Sequence, residues 1–111
     1  MVAMAMLTTF QVLAEPSRQA ILDLLCDGEL PVGELVARLG MSQPAVSKHL
    51  RVLRDAGLVT ARADAQRRLY RIRPDPLAEL DAWLAPYRKF WSASLDRLEE
   101  HLDNNNRRNQ P

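Results

Sequence analysis

Apolar residues recur every three or four positions along most of the chain and alternate over one short stretch, which predicts helices interrupted by a hairpin. Leu7, Phe10, Val12 and Leu13 predict a short first helix ending near Glu15, because Pro16 disfavours the helical conformation in the residue before it. Pro16 can open the next helix, where Ile21, Leu22, Leu24 and Leu25 form the apolar side and Asp27-Gly28 ends the element. Leu30, Pro31 and Val32 read as an extended link. A brief helix follows from Glu34 to Leu39, with Leu35, Val36 and Leu39 inward and Gly40 as its stop.

Ser42 is a good N-cap, Gln43 and Pro44 suit a first helical turn, and Met41 is placed to staple onto Val46. The helix that starts here is predicted to run to about Ala56, burying Val46, Leu50 and Leu53, until Gly57 supplies the left-handed residue that ends it. Two short helices joined by so tight a turn are a helix-turn-helix. Leu58 to Ala63 and Arg67 to Ile72 then read as strands around a polar tip, a hairpin whose turn type Ala65 leaves open.

Asp75 as cap and Pro76 at the first position restart helix. Leu77, Leu80, Leu84, Tyr87, Trp91, Leu95, Leu98 and Leu102 follow three-four spacing, widened by Trp83 and Phe90, while Pro86 predicts a kink or break. Such a stripe exceeds the needs of a domain this small, so Phe10, Leu84, Tyr87, Trp91, Leu95 and Leu98 are expected to bury against a second copy. The expected architecture is mainly α with a small β-hairpin: a winged helix-turn-helix over residues 7–102 with a long C-terminal dimerisation helix. Residues 1–6 are expected to be a flexible start and 103–111 a disordered tail.

The net charge of +1 conceals a lopsided distribution. Between Ser42 and Arg73 eight basic residues face two acidic ones, leaving seven basic and twelve acidic residues elsewhere. A local basic patch on a helix-turn-helix and its hairpin points to double-stranded DNA. With Val46, Leu50 and Leu53 inward, Ser42, Gln43, Pro44, Ser47, Lys48 and Arg51 are left for the groove and its rims, with His49 on the border between packing and contact. Gln43 suits a bidentate pair with adenine, whereas Lys48 and Arg51 suit phosphates. Arg62, Arg67 and Arg68 near the hairpin tip are expected to reach phosphates or the adjacent minor groove.

The sequence argues against other classes. The two histidines, His49 and His101, fall on different predicted helices, and no nucleophile–base arrangement or phosphate-cradling glycine loop is visible, so neither an enzyme nor a cofactor is expected. No apolar run approaches the roughly 20 residues of a membrane span and no signal peptide is evident, so the expected location is cytoplasmic. The single cysteine, Cys26, is expected to be a buried, inert thiol. The rival reading is a protein-interaction module whose stripe around Tyr87, Phe90 and Trp91 takes a foreign helix.

From Phe10 to about Leu102 the sequence resembles the ArsR/SmtB family. The resemblance is carried by Leu13-Ala14-Glu15-Pro16-Ser17-Arg18, by Ser42-Gln43-Pro44-Ala45-Val46-Ser47-Lys48-His49-Leu50 and by Leu53-Arg54-Asp55-Ala56-Gly57-Leu58-Val59. It implies a homodimer built from the first and last helices that binds an imperfect inverted repeat, blocks transcription and is released by a small-molecule inducer. Many metal-sensing relatives carry Glu-Leu-Cys-Val-Cys-Asp-Leu ahead of the recognition helix, where this chain has Glu29-Leu30-Pro31-Val32-Gly33-Glu34-Leu35. Pro31 and Gly33 offer no metal-binding side chain, and where the family's second site uses aspartate and histidine pairs on the terminal helix this chain has only His101 near its end, so no metal is expected and the pattern is similar to a metal-independent branch.

Overall fold

The computed structural model describes residues 2–108. The order of elements is α1 (Val2–Leu13), α2 (Pro16–Leu25), β1 (Leu30–Pro31), α3 (Val32–Leu39), α4 (Gln43–Asp55), β2 (Val59–Asp64), β3 (Arg67–Ile72) and α5 (Pro74–Arg108). The chain divides into two units, one ending at Glu79 and the other beginning at Leu80.

In the first unit the α1–α2 corner is held by side chains that serve helix ends. Glu15 caps α2 by accepting from the Arg18 backbone N–H at 2.9 Å, and Pro16 occupies the first helical turn, where a missing N–H costs nothing. The Arg18 Nε donates to the Val12 carbonyl at 2.7 Å and the Gln19 amide to the Leu13 carbonyl at 2.6 Å, satisfying acceptors that the end of α1 leaves open. Ile21, Leu22 and Leu25 of α2, Leu35 of α3 and Val46, Leu50 and Leu53 of α4 then meet Leu58, Val59 and Tyr70 in one core.

The helix-turn-helix has the ends its sequence calls for. Gly40 caps α3 in the left-handed region at φ 65°, and the Ser42 hydroxyl accepts from the Ala45 N–H at 3.3 Å to cap α4. Gly57, at φ 75°, lets the Leu58 N–H return to the Leu53 carbonyl at 2.9 Å, and Leu58 passes directly into the core and β2. Arg73 closes the sheet region, its N–H donating to the Leu58 carbonyl at 2.8 Å.

The hairpin is the larger part of a three-stranded antiparallel sheet ordered β1-β3-β2. Leu30 and Pro31, expected as a link, pair with Tyr70 and Leu69 and make β3 the central strand. Two residues carry no period, and their pairing is visible only once β3 is beside them. Asp64 pairs with Arg67 across a two-residue turn in which Ala65 takes φ 57°.

Several boundaries differ from the sequence reading. α1 already begins at Val2 rather than Leu7 and stops at Leu13, α3 begins at Val32 rather than Glu34, and α5 includes Asp75 in its first turn instead of using it as a cap. Helix also extends over 2–6 and 103–108, within the segments expected as flexible start and tail; Met1 and 109–111 lie outside the described residues. Cys26 is exposed rather than buried. It stands four positions after Leu22 on the apolar pattern, but α2 ends at Leu25 and Cys26 is its C-cap.

In the second unit α5 continues through Pro86 without a break. Proline removes one backbone donor from the helix ladder. One turn earlier, the Arg88 guanidinium pairs with the Asp81 carboxylate and donates to the Asp81 carbonyl at 3.1 Å, a side-chain brace across the proline turn. No described helix is long and apolar enough to cross a membrane.

Ala65 is the one described non-glycine residue with positive φ, a conformation that costs an L-residue about 1–2 kcal/mol. Part of that gain is offset in glycine by the greater freedom of its unfolded chain. Ala65→Gly is therefore expected to raise the melting temperature at fixed protein concentration by about 2–4 °C, and Ala65→Val to lower it, as read by circular dichroism. A lower melting temperature for the glycine variant would contradict strain at this turn.

Candidate nucleic-acid interface

Burial divides α4 lengthwise. Val46, Leu50 and Leu53 are at most 1% exposed, and this commits the helix to one orientation. Gln43, Pro44, Ser47, Lys48, Arg51 and Arg54 are left on the solvent side. The side that can approach a groove therefore begins with short polar residues and ends with arginines, an order that lets the first turns reach base edges while the later ones meet backbone.

Two residues expected as contacts from sequence also have neighbours within the protein. The Ser42 hydroxyl is engaged as the helix cap. His49 is half-buried against the start of α2, its Nδ1 lying 3.8 Å from Glu15 Oε2, too far for a hydrogen bond. The Glu15 carboxyl titrates below the usual carboxylate range, chiefly because the Arg18 backbone N–H donates to it and, against the cost of its partial desolvation, because His49 and Arg18 are near. Residue 49 thus lies where α4 approaches the α1–α2 corner.

The arginines of the wing also separate into classes. Arg62 reaches across the sheet to Glu29, with its Nε donating to the two carboxylate oxygens at 2.9 and 3.2 Å and a terminal nitrogen closing the fork. This pair spans 33 positions and joins β2 to the residue preceding β1, so it braces the wing against the body of the domain. Arg67 pairs with Asp64 at 3.2 Å across the turn, and Arg73 with Asp75 at 3.4 Å. No ion pair engages Arg51, Arg54 or Arg68 among the described residues.

Besides a cleft of about 440 Å³ lined by Pro31, Val32, Gly33, Glu34, Arg67 and Arg68, two more flank the wing. One, of about 590 Å³, has Leu25, Cys26, Ile72 and Pro74 as its apolar part and Glu29, Arg62 and Arg71 as its charged rim. The other, of about 280 Å³, lies between α4 and β3 and is bounded by Ser47, Arg51, Arg54 and Asp55 on one side and Arg68 and Tyr70 on the other. Arg54 and Glu29 are the residues that sequence reasoning missed. Arg54 had a signal, seven positions after Ser47 on the same helix side; Glu29 had none, since its partner is remote in sequence. Pro31 ends β1 and Gly33 lies in the first turn of α3, and among the described residues no three His, Cys, Asp or Glu side chains gather as a metal set.

The Glu29 carboxyl is held below the usual carboxylate range, first by the hydrogen bonds from Arg62 and then, against its own desolvation, by the charges of Arg62 and Arg71. A lowered folded value means that the tether contributes stability above the ordinary glutamate range and loses it as pH falls through the lowered value. A carboxyl-detected NMR titration is expected to place the Glu29 midpoint below that of an unstructured glutamate, and Arg62→Gln to move it back up. An unchanged midpoint in the variant would mean that Arg62 does not hold this carboxylate in solution.

Comparison with known proteins gives a consistent picture. The family model for "Bacterial regulatory protein, arsR family" matches residues 15–61, from the cap of α2 into β2. The HTH-type transcriptional regulator Rv2034 of Mycobacterium tuberculosis (strain H37Rv) is 42% identical over 94 residues, covering 85% of this chain and 85% of that protein. The biofilm growth-associated repressor of Agrobacterium fabrum (strain C58) is 44% identical over 68 residues, 61% of this chain and 58% of that protein. The crystal structure of the ArsR family transcriptional regulator RHA00566 matches with a TM-score of 0.70 at 31% identity, over 81% of this chain and 93% of that one.

Proposed function

The chain belongs to the ArsR family of DNA-binding bacterial transcriptional regulators, and from that premise we propose that it works as a dimeric repressor on an inverted-repeat operator. The observation that carries the reading is the division of α4 into a fully buried apolar side and a polar, basic solvent side. In this reading Gln43 and Ser47 meet base edges, Lys48 and Arg51 meet phosphates, and Pro44 lets the first turn approach the groove closely.

Dimerisation is supported by apolar surface that each terminal helix displays. α1 exposes Met4, Leu7 and Phe10. α5 exposes Tyr87, Phe90, Trp91, Leu95, Leu98 and Leu102, with Phe90 at 73%, and the spacing of Leu84, Tyr87, Trp91, Leu95 and Leu98 is that of a helix–helix seam. Trp83 and Tyr87 lie with ring centroids 5.0 Å apart and present one broad aromatic surface. Water contact over such an area is unfavourable by about 25 cal/mol per Å², so a second copy is the economical cover. Two-fold symmetry would then set the recognition helices about 34 Å apart, one turn of duplex. With Pro31 and Gly33 in place of thiolates, the proposed repressor responds to something other than a thiolate-bound metal.

Light scattering on a sizing column is expected to give twice the chain mass, and selection from a random duplex pool to return an inverted repeat with half-site centres about 10 base pairs apart. Gln43→Ala should relax the preference at one position per half-site, costing about 1–3 kcal/mol on the selected sequence and little on random DNA. A monomer that enriches no sequence would sink the proposal and favour the helix-docking module.

A further inference from the structure

Three arginines without a carboxylate partner come together from two elements. Ser47, Arg51 and Arg54 stand at i, i+4 and i+7 of α4 and share one side of that helix. Alternation along β3 sends Arg68 and Tyr70 to one face of the sheet and Arg67, Leu69 and Arg71 to the other. The first of these faces meets α4 and closes the cleft of about 280 Å³ described above. Three guanidinium groups border it against one carboxylate, that of Asp55.

We propose that this cleft seats one backbone phosphate in each half-site, held jointly by Arg51, Arg54 and Arg68, so that recognition helix and wing grip the DNA at a common point. The proposal rests on the DNA-binding reading of α4 and adds to it a named phosphate seat and Arg54 as a contact. Uncompensated like charges repel, and an anion among them is the simplest relief. The cleft has room for a phosphate group with its water, and guanidinium groups are the side chains best suited to hold one. The cleft also continues the side of α4 that begins at Gln43 and Ser47, so a phosphate there lies beside the base edges those residues would read. Arg62 and Arg67 are by contrast already committed to Glu29 and Asp64, and their work is to hold the wing's shape.

The test uses the selected operator duplex and a series of copies that each carry one neutral methylphosphonate. Wild type, Arg54→Gln and Arg107→Gln are titrated against all of them by fluorescence anisotropy. Arg54→Gln is expected to bind the native duplex about tenfold more weakly or worse, as for loss of a charged hydrogen bond. At one phosphate per half-site the methylphosphonate should weaken wild type comparably, and there Arg54→Gln should bind no worse than wild type; Arg107→Gln, on the exposed end of α5, should show no such position. The proposal is overturned if Arg54→Gln loses the same factor on every duplex, because no phosphate then couples to it. It is overturned equally if Arg54→Gln matches wild type on the native duplex. A general loss of folded protein scales all duplexes alike and counts against the proposal. Absence of saturable binding by wild type would instead bring down the DNA-binding reading itself, a result distinct from the others, in which wild type binds.

Discussion

The burial of one stripe of α4 governs the rest of the molecule. Val46, Leu50 and Leu53 lock against the side chains of α2, α3 and the sheet, and a helix seated by three fully buried residues has no freedom to roll. Rolling by one residue would turn each of these side chains by about 100° and exchange core for solvent. The capping of both ends, by Ser42 and by Gly57, fixes the length of helix presented as well as its facing. Which residues α4 presents to solvent, the DNA-contacting set of the proposed function, is therefore decided by hydrophobic packing on its opposite side.

Charge is organised on the same principle, through partners rather than totals. A count of basic residues treats Arg62, Arg67 and Arg68 as equivalent, yet one crosses the sheet to Glu29, one closes the turn with Asp64 and one is left unpaired. Exposed ion pairs add little stability individually. Their value here is geometrical: the Glu29–Arg62 fork sets where the wing stands, and the wing places Arg68 opposite Arg51 and Arg54.

Much of this was legible in the sequence because it is local. The caps at Ser42, Gly40 and Gly57, the inward residues of α2 to α4 and the hairpin all follow from signals within a few residues of one another. The hidden parts are those that need two distant segments at once. β1 is too short to show a period, Glu29 gives no sign of its partner, and the side on which Arg68 falls depends on the register of β3. Cys26 misled because a periodic pattern does not announce the turn at which its helix stops. Of the kink or break expected at Pro86, the break is absent: α5 carries the proline, and Arg88 braces that turn.

Pro31 has a bearing on how the molecule behaves at high concentration. A sheet of three strands has two edges, and unpaired backbone donors and acceptors along an edge invite strands from other chains. The β1 edge is two residues long and one of them has no N–H, so an incoming strand finds at most a single donor there. The β1 edge, which leads directly into α3, therefore offers little to the edge-to-edge addition from which fibrous aggregates grow.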